Sequence, residues 1–566
     1  MKHTVLAMAA FLMAATTHAA SPGITSTDNN NTGTFLLTAQ PANLNQPDGN
    51  AIYSWGYGCT SGGSGGTNAT FVPAGIAGAR CGTMQVPGPT LVVTEGQTVS
   101  VTLTNNLPTA AGNTSIMFPG IAVTSSGGVQ GLLTQEAQPG GSVTYTFTAP
   151  TPGTRAYYSG TQSDLQVEMG LYGAIVVLPK SVPANCDAGL HATNLLAKKQ
   201  WGESDFRLAH AAYDHPGTCY DREYLFQFAE MDANIHAQAQ TQSLATAGCT
   251  AGAPGCSLMV PTEPYHPSYF LINGRSMPDD MDPNYAAEYP QQPYNGNPHM
   301  HPGELTLIRV IGQGRWEHPF HEHANHVRIL ARDANLLLTP DGQELAGLLM
   351  FTTDTFPGQS FDGIFYFTGR GLNWDMYGHN PTSTDPLAKL PCLPDANGYN
   401  TVGADKLAYT RVNYFEWCQD HNKPLEANPL GDVNSGGPMT LPNPNIFTNG
   451  AWYGGTPYLG PDATLRSDTT LNSVAVAATS TTAATTYGAA SGCVTGVVGA
   501  TDPTGTPNCS ALQPSNVQAN PANERGWAYM WHSHNEREIT TNNVFPGGMF
   551  MMMLVDSREF VIDESK

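Results

Sequence analysis

Glu317-His318-Pro319-Phe320-His321-Glu322-His323 and, some two hundred residues further on, Trp531-His532-Ser533-His534 decide how this chain is read. Each stretch holds a His-x-His pair. On a β-strand, residues i and i+2 point to the same face. Each pair therefore aims two imidazoles at one place. Two such strands side by side make a four-histidine nest, a good site for a first-row metal such as copper or zinc. Both pairs adjoin strand-like runs, His326-Val327-Arg328-Ile329-Leu330 after the first and Ala528-Tyr529-Met530-Trp531-His532 leading into the second.

Outward from these stretches the period-two pattern continues. Thr98-Val99-Ser100-Val101-Thr102-Leu103-Thr104 and Gly141-Ser142-Val143-Thr144-Tyr145-Thr146-Phe147 alternate, and Leu171 to Leu178 is a buried-type strand stopped by Pro179. These mark one sandwich from about residue 30 to 180. Residues 21 to 85, rich in Ser, Thr, Asn and Gly, show no comparable regularity before Pro87. A second sandwich begins near Tyr220 and uses Tyr224-Phe228, Tyr269-Ile272, Glu304-Val310, His326-Leu330 and Gly363-Phe367. It closes with Ala528-His532 and Gly548-Val555. Residues 371 to 522 are dominated by Gly, Pro, Asn, Thr and Ala and read as a loop-rich insertion, low in complexity from Ser473 to Ala490. A third sandwich within them is the alternative. The expected organisation is thus 1–20 leader, 21–180 first domain, 181–219 linker and 220–566 second domain with its insertion. The fold class is all-β, two Greek-key sandwiches.

Composition agrees. The 566 residues are 40% hydrophobic and only 12% charged, with 60 Gly and 43 Pro, a mix suited to strands joined by many turns. A formal net charge of −22 argues against nucleic acid or anionic lipid as partner and is compatible with cations. Met1-Lys2-His3-Thr4, the apolar run Val5 to Ala15 and Thr17-His18-Ala19-Ala20 form a secretory leader pattern. No other stretch reaches membrane length, so the chain is expected to be periplasmic or extracellular. Ten cysteines in an exported chain imply disulfides. Spacing suggests local clips: Cys59 with Cys81, Cys186 with Cys219, Cys249 with Cys256, Cys392 with Cys418, and Cys493 with Cys509. There is no Cys-x-x-Cys, which excludes a thioredoxin-type centre or thiolate zinc knuckle.

The motifs together resemble the multicopper oxidase superfamily, built from cupredoxin sandwiches. Val86-Pro87-Gly88-Pro89-Thr90 and Gly170 to Val177 are similar to the opening and close of its first domain. His318 to His323 is similar to its HPxHxH. Pro357-Gly358-Gln359, Trp531 to His534 and Gly547-Gly548-Met549 also match. The resemblance implies that His321, His323, His532 and His534 descend from ligands of a trinuclear copper centre, and His318 from a ligand of the type 1 copper. It also implies departures. The type 1 cysteine position is Ser533, and its other histidine is Glu538. Met549 echoes the axial ligand across an insertion. Met117, Pro119, Tyr158 and Gly160 stand where the first domain would supply four more ligands.

Blue-copper electron entry needs a thiolate, so laccase-type oxygen reduction is not expected. A mononuclear or binuclear site on His321, His323, His532 and His534 is. Copper is favoured by the resemblance, with zinc, iron or manganese also compatible. His318 and Glu538 are second-tier ligands or supporting groups, and Glu322 and Glu536 are further carboxylates nearby. His326 should turn away from the nest, and His299-Met300-His301 should be a surface site or nothing. Met549, Met551 and Met553 read as core, and Tyr157 and Tyr158 as packing. His379 and His421 could bring replacement ligands. The functional expectation is a copper-binding oxidoreductase. The alternative is a non-catalytic structural, surface or metal-sequestering protein. Small molecules or metal ions are the expected substrates, and the resemblance implies a trimer.

Overall fold

In the computed structural model the described residues are 20–26, 32–60, 69–367 (less 190, 193, 196–197, 199–202 and 302), the short strands 449–450, 455–458, 474–476 and 485–487, and 526–556 with 562–565. Strand alternation builds the first sandwich. Val99, Val101 and Leu103 are buried in Thr98–Asn105, and Val143, Tyr145 and Phe147 in Ser142–Thr148. The two strands pair antiparallel with Val101 opposite Tyr145, so their apolar sets share one face. The sheet runs Ala51–Cys59, Thr32–Asn45, Thr98–Asn105, Ser142–Thr148, Thr124–Gly127. The facing sheet runs Gly153–Tyr158, Tyr172–Leu178, Leu91–Thr94, Gly23–Ser26, Ala69–Val72. Side chains of both meet in one core around Trp55, Tyr57, Phe118, Tyr145 and Tyr157.

The second sandwich has a seven-stranded sheet whose centre is Arg222–Met231, Leu305–Gly312, Ser360–Tyr366 and Val327–Arg332. Its six-stranded partner runs His299–Met300, Phe550–Asp556, Gly526–Ser533, His318–Glu322, Thr352–Thr355, and Gly455–Tyr458 adds to Gly526–Ser533. Aromatic side chains fill the space between them, with Trp531 packed against Phe226, Phe320 and Phe365. Met549, Met551 and Met553 are fully buried there, the core role their alternation predicts.

Polar contacts join the two sandwiches. Thr154 Oγ1 donates to Asp362 Oδ1 at 2.6 Å, and Gln313 Nε2 donates to the Gly173 carbonyl at 2.9 Å. Arg309 lies between Glu223 and Asp362, at 3.0 and 3.6 Å. Buried partners of opposite charge are needed here, because removing one would strand the other.

Several expectations change. Residues 21 to 85 hold four strands: Gly23–Ser26, Thr32–Asn45, Ala51–Cys59 and Ala69–Val72. Alternation was present in Phe35, Leu37, Ala39 and in Trp55, Tyr57, Cys59, all fully buried, but Ser, Thr, Asn and Gly in the loops between them diluted it. Ala233–Ala245 is a helix started by Asp232, whose side chain accepts from Asn234 N at 2.9 Å. It docks Ile235 and Ala239 on the first core. His299 and His301 are buried rather than superficial, and His301 Nε2 sits 2.6 Å from Glu203 Oε1. Disulfides Cys59–Cys81, Cys186–Cys219 and Cys249–Cys256 are present. The other two pairs, the leader, His379, His421 and most of the insertion lie outside the described residues. Within 473–490, Val474–Val476 pairs with Thr485–Tyr487.

The turn Asn273-Gly274 presses on the first sandwich. Gly274 has φ +84°, and a Cβ there would lie 2.1 Å from the Val86 carbonyl oxygen. Gly274→Ala is expected to cost at least about 2 kcal/mol through backbone strain and clash, read as a lower thermal midpoint. An unchanged midpoint would show that this contact does not hold in solution.

Candidate metal centre

Strand His318–Glu322 lies antiparallel to Gly526–Ser533, with His321 opposite His532 and Phe320 opposite Ser533. Directly opposed residues share a face. His321, His323 and His532 therefore converge, and their ligand nitrogens lie within 4.8 Å of one another. Among the described residues this is the one such group of metal-capable side chains. His534 sits at its edge, its ring 4.9 Å from that of His321 and 5.5 Å from that of His532.

Hydrogen bonds set how these rings present their nitrogens. His532 Nδ1 is 2.6 Å from the Ser533 carbonyl oxygen. A carbonyl only accepts, so Nδ1 carries the proton and Nε2 keeps its lone pair. That Nε2 lies 3.2 Å from His323 Nε2. Two nitrogens about 2.0–2.1 Å from one tetrahedral metal are about 3.3 Å apart, so the spacing fits two ligands of one ion. His321 Nδ1 is anchored 2.6 Å from Thr352 Oγ1. Such partners on the far nitrogen commonly orient metal-binding imidazoles. Burial, then the neighbouring His323, His532 and His534, push His321 down to about 4. Burial also lowers His532. Both are neutral at pH 7, the form that binds a metal.

The other face of the same strand pair carries a different cluster. His318 is fully buried, with Nδ1 2.9 Å from Glu538 Oε2 and Nε2 3.0 Å from Glu230 Oε2. Ser533 Oγ donates to Glu538 Oε2 at 2.5 Å, and Asn535 Nδ2 donates to Oε1 at 2.9 Å. Glu230 Oε1 accepts from the backbone N–H groups of Arg315 and Trp316 at 2.7 and 2.9 Å. Burial opposes charge on His318, but hydrogen bonds to Glu230 and Glu538 and their charge outweigh it and hold the imidazole up at about 9. His318 and Glu538 thus serve each other and Ser533, not the imidazole group. Glu322 also faces inward with Phe320. It is fully buried, its carboxyl pushed well above the usual range by burial, with Thr353 Oγ1 at 3.4 Å. Glu536 is exposed and pairs loosely with His534 at 3.5 Å. His326 packs edge-on to Phe351 at 5.1 Å, outside the group as alternation predicts.

In the first sandwich, Met117 and Tyr158 exchange backbone hydrogen bonds of 2.7 and 3.2 Å. A Cβ on Gly160 would lie 2.6 Å from Met117 Cγ, so the methionine occupies the space a side chain there would need. Around it Ser115, Thr161 and Glu136 form a hydrogen-bonded chain, each link 2.8 Å. Tyr157 is buried, its hydroxyl donating to the Pro89 carbonyl at 2.7 Å. The residues missed by sequence reasoning are Glu230 and Thr352. Neither stands in a motif, and only the sheet pairing brings them to the site.

Residues 81–182 match the multicopper oxidase family profile. Over 99 residues the chain is 37% identical to Laccase abr2 of Aspergillus fumigatus, covering 17% of this chain and 16% of that protein. Over 103 residues it is 35% identical to Multicopper oxidase MmcO of Mycobacterium tuberculosis, covering 18% and 19%. The chain therefore spans less than a fifth of the curated relatives it matches. A copper nitrite reductase of Nitrosomonas europaea aligns with a TM-score of 0.36 at 18% identity, covering 59% of this chain and 85% of that one. The described residues form two β-sandwiches, the second with a histidine nest on a paired strand. Over residues 81–182 the chain is thus similar to multicopper oxidases, and between His532 and His534 it carries Ser533, not a cysteine.

Two outcomes follow from the His318 cluster. An imidazole raised in the folded state stabilises fully below its ordinary value of 6.5 and loses that contribution as pH rises through about 9. Denaturant unfolding of the intact chain and of Glu230→Gln should differ most near pH 6 and converge by about pH 10. A constant difference would remove the imidazolium. Ser533→Cys should yield no intense blue absorption with copper, because Glu538 and Glu230 already engage both nitrogens of His318. An intense blue band would show that the cluster yields to a metal.

Proposed function

We propose that this chain is an exported copper-binding protein whose centre is His321, His323 and His532 with His534 at the rim, acting as an oxidoreductase without a type 1 relay. The observation that carries it is the convergence of three imidazoles with ligand nitrogens within 4.8 Å. The tautomer of His532 is set by a carbonyl and the ring of His321 is anchored by a hydroxyl. Nitrogen donors of this kind suit copper, and zinc, iron or manganese are alternative occupants. Copper bound there would supply one-electron chemistry. The chain's own part is to keep His321 and His532 neutral, hold their orientation and leave one side open at His534. With Ser533 in place of a thiolate, a small-molecule or metal-ion substrate would exchange electrons at the centre itself. Export is supported by the leader pattern of residues 1–20 and by three disulfides. Among the described residues no helix is long and apolar enough to cross a membrane.

A second reading, a non-catalytic metal-sequestering protein, is favoured by one observation. The position for electron entry is filled by a compensated His318–Glu538–Glu230 cluster. Both readings need the metal. Protein purified without chelator should carry about one copper per chain, and His321→Ala with His532→Ala should carry about a tenth of that or less. Full metal content in the double variant would place the site elsewhere. An oxidase screen of the loaded protein then separates the two readings.

A further inference from the structure

The imidazoles of the nest are not equivalent. His321 and His323 are 2% and 8% exposed. The side chain of His534 is 52% exposed and that of its neighbour Glu536 is 81% exposed. His534 is nevertheless tethered, because its backbone N–H donates to the Pro319 carbonyl at 2.8 Å. Only its two side-chain torsions remain to move the ring. That ring already lies 4.9 Å from the ring of His321.

We propose that His534, supported by Glu536, is the capture ligand through which a metal ion enters and leaves the centre, while His321, His323 and His532 retain it. The inference rests on the three-imidazole reading given above. A hydrated ion cannot reach buried nitrogens without first losing water, and an exposed ligand lets that loss proceed one molecule at a time. In the transfer, the bond from the ion to the His534 nitrogen breaks as a bond to a buried imidazole nitrogen forms. No electron moves, and the ion keeps its charge. Glu536 presents a negative charge beside Nδ1 of His534 at 3.5 Å. The chain as a whole carries −22, and such a field raises the local concentration of cations. The arrangement thus separates two tasks: fast exchange at the exposed ring and tight retention by the buried His321 and His323 with the part-buried His532.

The test is stopped-flow mixing of the metal-free full chain with copper(II), following quenching of tryptophan fluorescence. Trp531 reports the centre, since its indole N–H donates to the His323 carbonyl at 3.1 Å. His534→Ala should still bind one ion per chain at equilibrium, with capture and chelator-driven release both slowed about tenfold or more, and Glu536→Gln should slow capture less. His323→Ala should lose the ion at equilibrium. If His534→Ala captures copper at the unaltered rate, the proposal is wrong. If it fails to hold copper at equilibrium, His534 is a resident ligand and the proposal is equally wrong. If the unaltered chain takes up no copper, the three-imidazole reading itself fails, and that outcome is visible without any variant.

Discussion

One strand pairing governs the second sandwich. His318–Glu322 and Gly526–Ser533 lie antiparallel with His321 opposite His532. Because side chains alternate, this register makes two sites back to back. One face carries His321, His323 and His532. The other carries His318, Phe320 and Ser533, which meet Glu538 and the aromatic core. A slip of one residue would exchange the faces, driving imidazoles into the core and Phe320 outward. The packing of Phe320 against Trp531 and Phe226 therefore fixes the register on which the nest depends.

The two faces balance charge differently. On the inner face, two carboxylates flank one imidazolium, and the serine hydroxyl and Asn535 amide satisfy remaining lone pairs. That cluster is complete: a second cation would have to displace a proton from His318 and break hydrogen bonds on both of its nitrogens. On the outer face, three imidazoles crowd together with no carboxylate among them. Burial and the neighbouring rings disfavour protonating His321, and burial disfavours protonating His532. The outer face thus retains lone pairs for an electrophile, and the inner face has already taken one, a proton.

The sequence carried the outer face almost whole. His-x-His spacing on a strand is sufficient to place His321 with His323, and the closing strand to bring His532 beside them. It could not reveal that Glu230, from a strand far away in the chain, caps His318, because only the parallel pairing of Arg222–Met231 with Leu305–Gly312 places that strand. Alternation already puts Glu322 on the face opposite His321 and His323, and there it is buried. The strands before Pro87 in the first sandwich were missed for a compositional reason. Thr32–Asn45 buries Phe35, Leu37 and Ala39 with period two, but its exposed positions are small and polar and resemble the loops around it. The helix Ala233–Ala245 escaped because its residues are mostly Ala, Gln and Thr, with no strong apolar stripe.

The imidazoles that meet in the nest all come from the second sandwich, and the first sandwich has a different polar cluster. Here Met117 fills the space beside Gly160, and hydroxyls and a carboxylate bond to one another around it. That cluster is hydrogen-bonded within itself. Beside it, Met117 pairs with Tyr158 through an isolated β-bridge. Among the described residues, the imidazoles that could hold an ion in the nest come from the second sandwich. At the edge of that group the ring of His534 is half exposed, 4.9 Å from the ring of His321.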